Sequence, residues 1–256
     1  MKTVDWCLKQ FEPIKTHLVT LQECRPLDQG KAKIHWENTD SNQWVGRVRT
    51  QASLQTDTGH QVIWRGIKAM GWGVAVVSTK SWPLEFVDIP FLHRHVVPVK
   101  VHAPEPFMFV GVWTQREPSY ARVAWESMSA CAHEADKRGL PLVAAGDFNI
   151  SRKFKGKLGE DASNVLKSMR DRYGLVSAYH QHYNEKQGEE TRFTYYHKYM
   201  GRFRPFHIDY FFVSEDWIDR LIGVKVEPFS TFQDSDHRPL TVELDDAIFG
   251  IIPQRN

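Results

Sequence analysis

Cysteine is scarce in this 256-residue chain: Cys7, Cys24 and Cys131 are odd in number, far apart and outside any CxxC spacing. That excludes a disulfide framework and a structural zinc knuckle as organising features. An excess of charge is missing too. Lys and Arg number 33 against 31 Asp and Glu, a formal net charge of +2. No global field draws in a polyanion, so any such contact has to come from a local patch. No apolar run approaches the ~20 residues that span a bilayer. The opening MKTVDWCLKQFEP lacks the apolar stretch of a secretory signal. Together these absences predict a reducing, cytoplasmic setting. Repeats, low-complexity linkers and composition breaks are also absent, so residues 1–256 read as one domain. What is present, 41% hydrophobic and 25% charged residues, is ordinary for a globular protein and ample for a core.

Periodicity places the elements. Val4, Cys7, Leu8 and Phe11 fall at helical spacing over 3–12, stopped by Pro13. Residues 17–21 read as a strand that delivers Glu23 at its end. The stretch 25–60 is polar, with weak strands. Residues 73–78, 84–89, 95–101 and 107–114 read as further strands. Ser119 caps a predicted helix reaching Arg138, with Val123, Met128, Cys131 and Ala135 as its buried stripe and Gly139 as its stop. The all-apolar Leu142–Ala145 leads into Asp147. A helix over 161–172 follows, then strands at 192–196 and 207–213, a short helix near 215–221, and strands at 223–227 and 238–244. Many short strands with few helices between them predict two sheets stacked face to face, helices outside.

Four carboxylates lie beside or just past apolar runs: Glu23 in Leu21-Gln22-Glu23, Asp147 in Gly146-Asp147-Phe148-Asn149, Asp209 in His207-Ile208-Asp209-Tyr210, and Asp236 in Ser235-Asp236-His237-Arg238. Two come with His and one with Asn. Oxygen ligands on rigid supports suit a hard divalent cation and hydrolytic chemistry. Asp147 and Asn149, two apart in an extended segment, face one side. Asp236 and His237, being adjacent, need a loop rather than a plain strand to reach one cleft. The pairs His180/His182 and His93/His95 have strand spacing suited to zinc but no third ligand. His207 reads as structural, and Trp64, Trp72, Trp82 and Trp113 as core.

The ordered set LQE, GDFN, HIDYFFVS and SDHRPL resembles the endonuclease/exonuclease/phosphatase superfamily, over about Leu18 to Leu244. The resemblance implies a deoxyribonuclease I-like four-layer α/β sandwich, two stacked, mostly antiparallel sheets flanked by helices. It implies Mg²⁺ (or Mn²⁺) held by Glu23, with Asp236 as a further metal-site or water-site carboxylate. Asp147 becomes the residue that orients and deprotonates water, Asn149 its partner on the phosphate, and His237 a phosphoryl contact oriented by Asp209. A carboxylate on one ring nitrogen fixes the tautomer and favours imidazolium. The segment RFTYYHKYMGRFR interleaves bases with aromatics. Tyr195, Tyr196, Arg202 and Arg204 are its candidate substrate contacts, for phosphates and bases.

Two features depart from the family pattern. The family opens with a central strand ending in Trp-Asn, and nothing before Glu23 reads that way. The expectation is an unpaired place at the sheet centre, and higher stability and activity in a chain extended upstream by about 10–20 residues. Trp113 stands where the family places Tyr, His or Asn. Indole donates one hydrogen bond but is no acid at neutral pH, leaving Gln115 or Tyr120 as substitutes. The sequence therefore predicts a metal-dependent phosphodiester hydrolase acting on nucleic acid. The alternatives are a phosphatase on a small phosphorylated molecule or lipid headgroup, and a binding module with a degenerate site.

Overall fold

The computed structural model describes residues 17–24, 34–38, 44–49, 61–67, 72–78, 82–231, 235–245 and 247–252. The helix expected over 3–12 lies outside them. In chain order the strands are β1 (Leu18–Cys24), β2 (Ile34–Asn38), β3 (Trp44–Arg49), β4 (Gln61–Ile67), β5 (Trp72–Ser78), β6 (Leu84–Phe86), β7 (Val96–Val101) and β8 (Phe107–Trp113). They continue as β9 (Leu142–Asp147), β10 (Leu175–Ser177), β11 (Tyr195–Tyr199), β12 (Arg202–Phe206), β13 (Asp209–Ser214), β14 (Leu221–Val226), β15 (Leu240–Leu244) and β16 (Ala247–Ile252). The helices are α1 (Tyr120–Lys137), α2 (Lys157–Tyr173) and α3 (Ala178–Tyr183). No described helix is long and apolar enough to cross a membrane.

The strands form an eight-stranded sheet in the order β14-β15-β16-β1-β5-β4-β3-β2 and a six-stranded sheet in the order β10-β13-β9-β8-β7-β6, with β11–β12 a separate hairpin. Pairing is antiparallel except at β8–β9 and β1–β16. This is the stacked, mostly antiparallel sandwich expected. Strand parity explains the runs with no polar residue. In β8, Phe107, Phe109 and Trp113 join Leu18, Val74, Val76 and Leu240 of the other sheet in one core. The alternate Met108, Val110 and Val112 join Met128 and Cys131 of α1 and Leu166 of α2 in a second core. A strand covered on both faces has no solvent side to mark with polar residues. Each such large side chain, fully buried, contributes about 1.5–3 kcal/mol.

Parity also sets the direction of two carboxylates. Val143 and Ala145 of β9, and Phe211 and Val213 of β13, face the core between the sheets. Asp147 and Asp209 share that parity at the ends of these strands, directly opposite each other in register. Both therefore face the gap between the sheets.

The expected vacancy at the sheet centre is not there. β16 lies between β15 and β1, antiparallel to the first and parallel to the second, with Leu18 opposite Phe249 and Leu21 opposite Ile252. A C-terminal strand that the sequence reading missed covers the backbone edge of β1. We therefore expect a chain ending at Asp245 to lose several kcal/mol, at about 1–3 kcal/mol per buried amide left unpaired. Thermal melting should fall by roughly 10 °C or more, or the chain should be insoluble. A melting temperature unchanged by that truncation would show that β16 closes nothing.

Smaller differences have local causes. α2 begins four residues before the expected 161, and Gly174 closes it in the left-handed conformation. The strand expected at 192–196 starts only at Tyr195 and runs to Tyr199 as one arm of the β11–β12 hairpin, turned by Met200 and Gly201 at positive φ. His180 and His182 lie on α3, not a strand, so the zinc spacing is lost. His93 pairs with Glu126, and His95 packs edge-on against Trp113.

Candidate active site

Asp147 ends β9 through a backbone that only glycine permits at the preceding position. Gly146 has φ 145°, and a Cβ there would sit 2.0 Å from the Val112 carbonyl oxygen. The next residues turn sharply. Asn149, at φ 51°, donates its backbone N–H to Asp147 Oδ1 at 2.8 Å and its side-chain Nδ2 to Oδ2 at 2.7 Å. Both carboxylate oxygens are thus fixed by one residue.

Glu23 reaches the same place by a different device. On a regular strand it would share the face of Val19 and Leu21, away from the second sheet. Between Leu21 and Cys24 the register against β5 slips, three residues spanning what two span opposite, Ala75 to Gly73. Glu23 takes φ 53° in this bulge. Such an extra residue re-aims a side chain, and here it turns the carboxylate inward.

Asp236 and His237 lie in the loop before β15, held by the His237 N–H donating to Ser235 Oγ at 3.1 Å and the Tyr196 N–H donating to the Asp236 carbonyl at 2.8 Å. His237 Nδ1 meets Asp209 Oδ2 at 2.9 Å, which leaves Nε2 to the cavity. Asp209 is buried, and its backbone N–H and that of Ile208 both donate to Thr194 Oγ1, at 3.0 and 3.1 Å. Thr194 is a brace that no sequence signal announced.

These groups line one cavity of about 140 Å³: Glu23, Asp147, Asn149, Asp236 and His237, with Trp113, Thr114, Gln115, Tyr120 and Tyr195. Of the predicted substrate contacts only Tyr195 lines it, its ring 4.7 Å from that of His237. Tyr196 packs against Phe229, and Arg202 and Arg204 stand exposed on the hairpin, Arg204 over the Tyr199 ring. His207 is buried and structural, its proton affinity lowered to about 4 by burial. Trp64 and Trp113 are core as expected, Trp113 also lining the cavity, and Trp82 packs half-buried against that core, but Trp72 is exposed. A larger groove, about 750 Å³, runs beside α2 and α3. Its Asp171, Glu185, Glu189 and His180 stand among Arg152, Lys167, Arg170 and Lys186, so it holds no surplus of negative charge, and donor chemistry rather than volume identifies the site.

The electrostatics are those of crowded acids. Burial raises the Asp147 carboxyl well above the usual range, Asp209 and Glu23 adding to it and His237 and the Asn149 N–H opposing. Glu23 is raised by burial and by Asp236 and Asp209, against His237. For His237, burial lowers the imidazolium, but the charge and hydrogen bond of Asp209, with Asp147 and Asp236, outweigh it and lift the group to about 10. Burial, then the carboxylates, push the Tyr195 phenol up to about 12, and burial with Asp147 raises Tyr120. Both phenols stay protonated, as donors.

Four carboxylates thus face one imidazolium. That surplus of negative charge in a buried pocket suits a divalent cation. Among the described residues no three such groups close a full protein cage. An open site of one or two carboxylates is the arrangement Mg²⁺ takes, since it keeps several waters. Glu23 and Asp236 fit that role.

The fold has relatives among solved structures. The 3′ phosphatase NExo from Neisseria, bound to product DNA hairpin, aligns at 22% identity over 95% of this chain and 96% of its own, with a TM-score of 0.64. An AP endonuclease from Archaeoglobus fulgidus aligns at 15% identity over 93% and 92%, TM-score 0.60. AP endonuclease LMAP from Leishmania major aligns at 14% over 93% and 81%, TM-score 0.66. The TM-scores over these coverages establish a shared fold. No curated protein matches the sequence. A family pattern does match, from residue 4 to residue 237, nearly the whole chain and all the motifs that meet at the cavity. The chain belongs to the endonuclease/exonuclease/phosphatase family.

Proposed function

We propose that this protein is a divalent-cation-dependent phosphoesterase, and specifically a nuclease that hydrolyses phosphodiester bonds. The observation that carries this reading is the meeting of Glu23, Asp147, Asn149, Asp236 and His237 on one cavity, with Asp209 bonded behind His237. Asp147, held by Asn149, orients a water and takes its proton as it attacks phosphorus in line with the leaving oxygen; a raised proton affinity suits a base. His237 presents charged Nε2–H to a phosphoryl oxygen, where negative charge develops. Tyr120 and Tyr195 supply the hydroxyl donors that Trp113 lacks. A Mg²⁺ or Mn²⁺ held by Glu23 and Asp236 would neutralise the phosphoryl and leaving oxygens. Because both sheets contribute to this one cavity, we read 1–256 as a single domain.

Three features favour nucleic acid. The β11–β12 hairpin beside the cavity exposes Tyr199, Met200 and Phe203 together with Lys198, Arg202 and Arg204, aromatic faces among phosphate-binding charges. An apolar pocket of about 420 Å³, with Ile150, Phe154, Leu158 and Ile208, adjoins the cavity through Tyr120, Asn149 and Tyr195, and gives a nucleoside room beside the scissile bond. NExo, which shares the fold, is bound to a DNA hairpin.

The test compares a labelled oligonucleotide with p-nitrophenyl phosphate, each with Mg²⁺ and with chelator. Cleavage of the oligonucleotide only when cation is present is expected. Turnover of the monoester alone favours a phosphatase. Inactivity on both, with retained oligonucleotide binding, favours a binding module.

A further inference from the structure

Trp72 opens β5 and stacks on Trp113, ring centroids 6.3 Å apart and 22° from parallel. Trp113 lines the catalytic cavity, and its other neighbour is His95, edge-on at 4.9 Å. Trp72 remains 38% exposed, so the stack carries an aromatic surface from the cavity to solvent. In the loop that enters β7 at the Trp113 end of its sheet stands Phe91, 97% exposed at φ 60°. A phenylalanine so placed adds nothing to the core and holds a backbone conformation that L-residues avoid. Its loop is nevertheless braced. Buried Arg65 donates to the Leu92 carbonyl at 2.8 Å and to the Val96 carbonyl at 2.6 Å. Arg65 pairs with Val74 in register, two residues from Trp72, and the Trp113 N–H donates to the His95 carbonyl at 3.0 Å. One corner of the molecule, on the rim of the site, thus holds two outward-facing aromatics on a fixed support. Arg94, three residues after Phe91, and Arg116, three after Trp113, are exposed.

We infer that Trp72 and Phe91 form a stacking platform for unpaired nucleobases, so that the preferred substrate presents single-stranded nucleotides next to the scissile bond. This rests on the nuclease reading and narrows it. Inside a duplex each base face is covered by its neighbours, and an aromatic side chain meets a free face only at an unpaired or terminal nucleotide. Tyr195, against His237, and the exposed Tyr199 and Phe203 of the hairpin face the strand from the other side of the cavity. Arg94 and Arg116 then contact its phosphates.

Fluorescence anisotropy tests this with the full chain in chelator, so that nothing is cleaved. The probes are labelled oligothymidylate and its blunt duplex with oligodeoxyadenylate of equal length, which leaves base faces free only at its two ends. We expect tighter binding to oligothymidylate. Trp72→Ala and Phe91→Ala should each weaken it about 5- to 100-fold, with much less effect on the duplex, and Trp72→Phe should restore most of the loss. Phe91 is too exposed for its truncation to unfold the chain, so it remains informative if Trp72→Ala misfolds. Equal binding of both probes, or single-strand affinity untouched by Phe91→Ala and Trp72→Phe, overturns the platform and leaves the nuclease reading standing. Binding of neither probe overturns both.

Discussion

Asp147→Asn is expected to lower phosphodiester turnover by roughly 10²–10⁴-fold, the span that a positioned general base contributes. The change keeps size and one acceptor for Asn149, and removes the ability to take a proton. It also removes one of four crowded carboxylates. Burial and the neighbouring acids already disfavour the Asp147 charge, so the melting temperature near pH 8 should hold or rise. Extra Mn²⁺ should not restore the rate, because the missing function is proton acceptance. Turnover within tenfold of wild type, with the cavity intact, would remove Asp147 from the mechanism.

Glu23→Gln should behave differently. It deletes a ligand charge and leaves Asp147, Asn149 and His237 in place. Even outer-sphere partners of a metal cost about 10–100-fold on mutation, so a loss of at least that size is expected at ~1 mM Mg²⁺. Raising the cation concentration, or changing to Mn²⁺, should recover a large part of it, since affinity rather than chemistry is impaired. The midpoint of a cation titration should move upward by a similar factor. A variant whose rate falls with an unchanged midpoint would place Glu23 outside the cation site.

The contrast between these two residues also shows what was legible in the sequence. Asp147 and Asp209 follow from strand parity, because buried runs that face the inter-sheet core lead straight into them. Glu23 was legible as a strand-end carboxylate, but the direction it faces was not. Period-two reading turns it outward, and only the bulge at 21–24 brings it in. His237 and Asp236 needed a loop, which Ser235 and the backbone of Tyr196 supply. Thr194 carried no signal, and Tyr120 only a weak one, as a possible substitute for what Trp113 lacks. Each is an ordinary residue whose role comes from a partner distant in sequence, the amides of Ile208 and Asp209 for one and the Asp147 side of the cavity for the other. β16 was missed for a related reason. The run Ala247–Ile252 is apolar enough for a strand, but its place beside β1 depends on an edge that sequence periodicity cannot see. The exposed Trp72 likewise looked like core, because an aromatic at the end of an apolar strand reads the same whether it closes a core or opens onto a cleft.

The central claim is that the carboxylates of this cavity hold a divalent cation beside the group that activates water. The most direct measurement is anomalous diffraction from crystals soaked in Mn²⁺. The expected result is a peak in the cavity within about 2.0–2.6 Å of Glu23 and Asp236 oxygens, the range for hard cations on oxygen, and its loss in Glu23→Gln at the same soak. An empty cavity in the soaked crystals, together with oligonucleotide cleavage that persists in chelator, would contradict it.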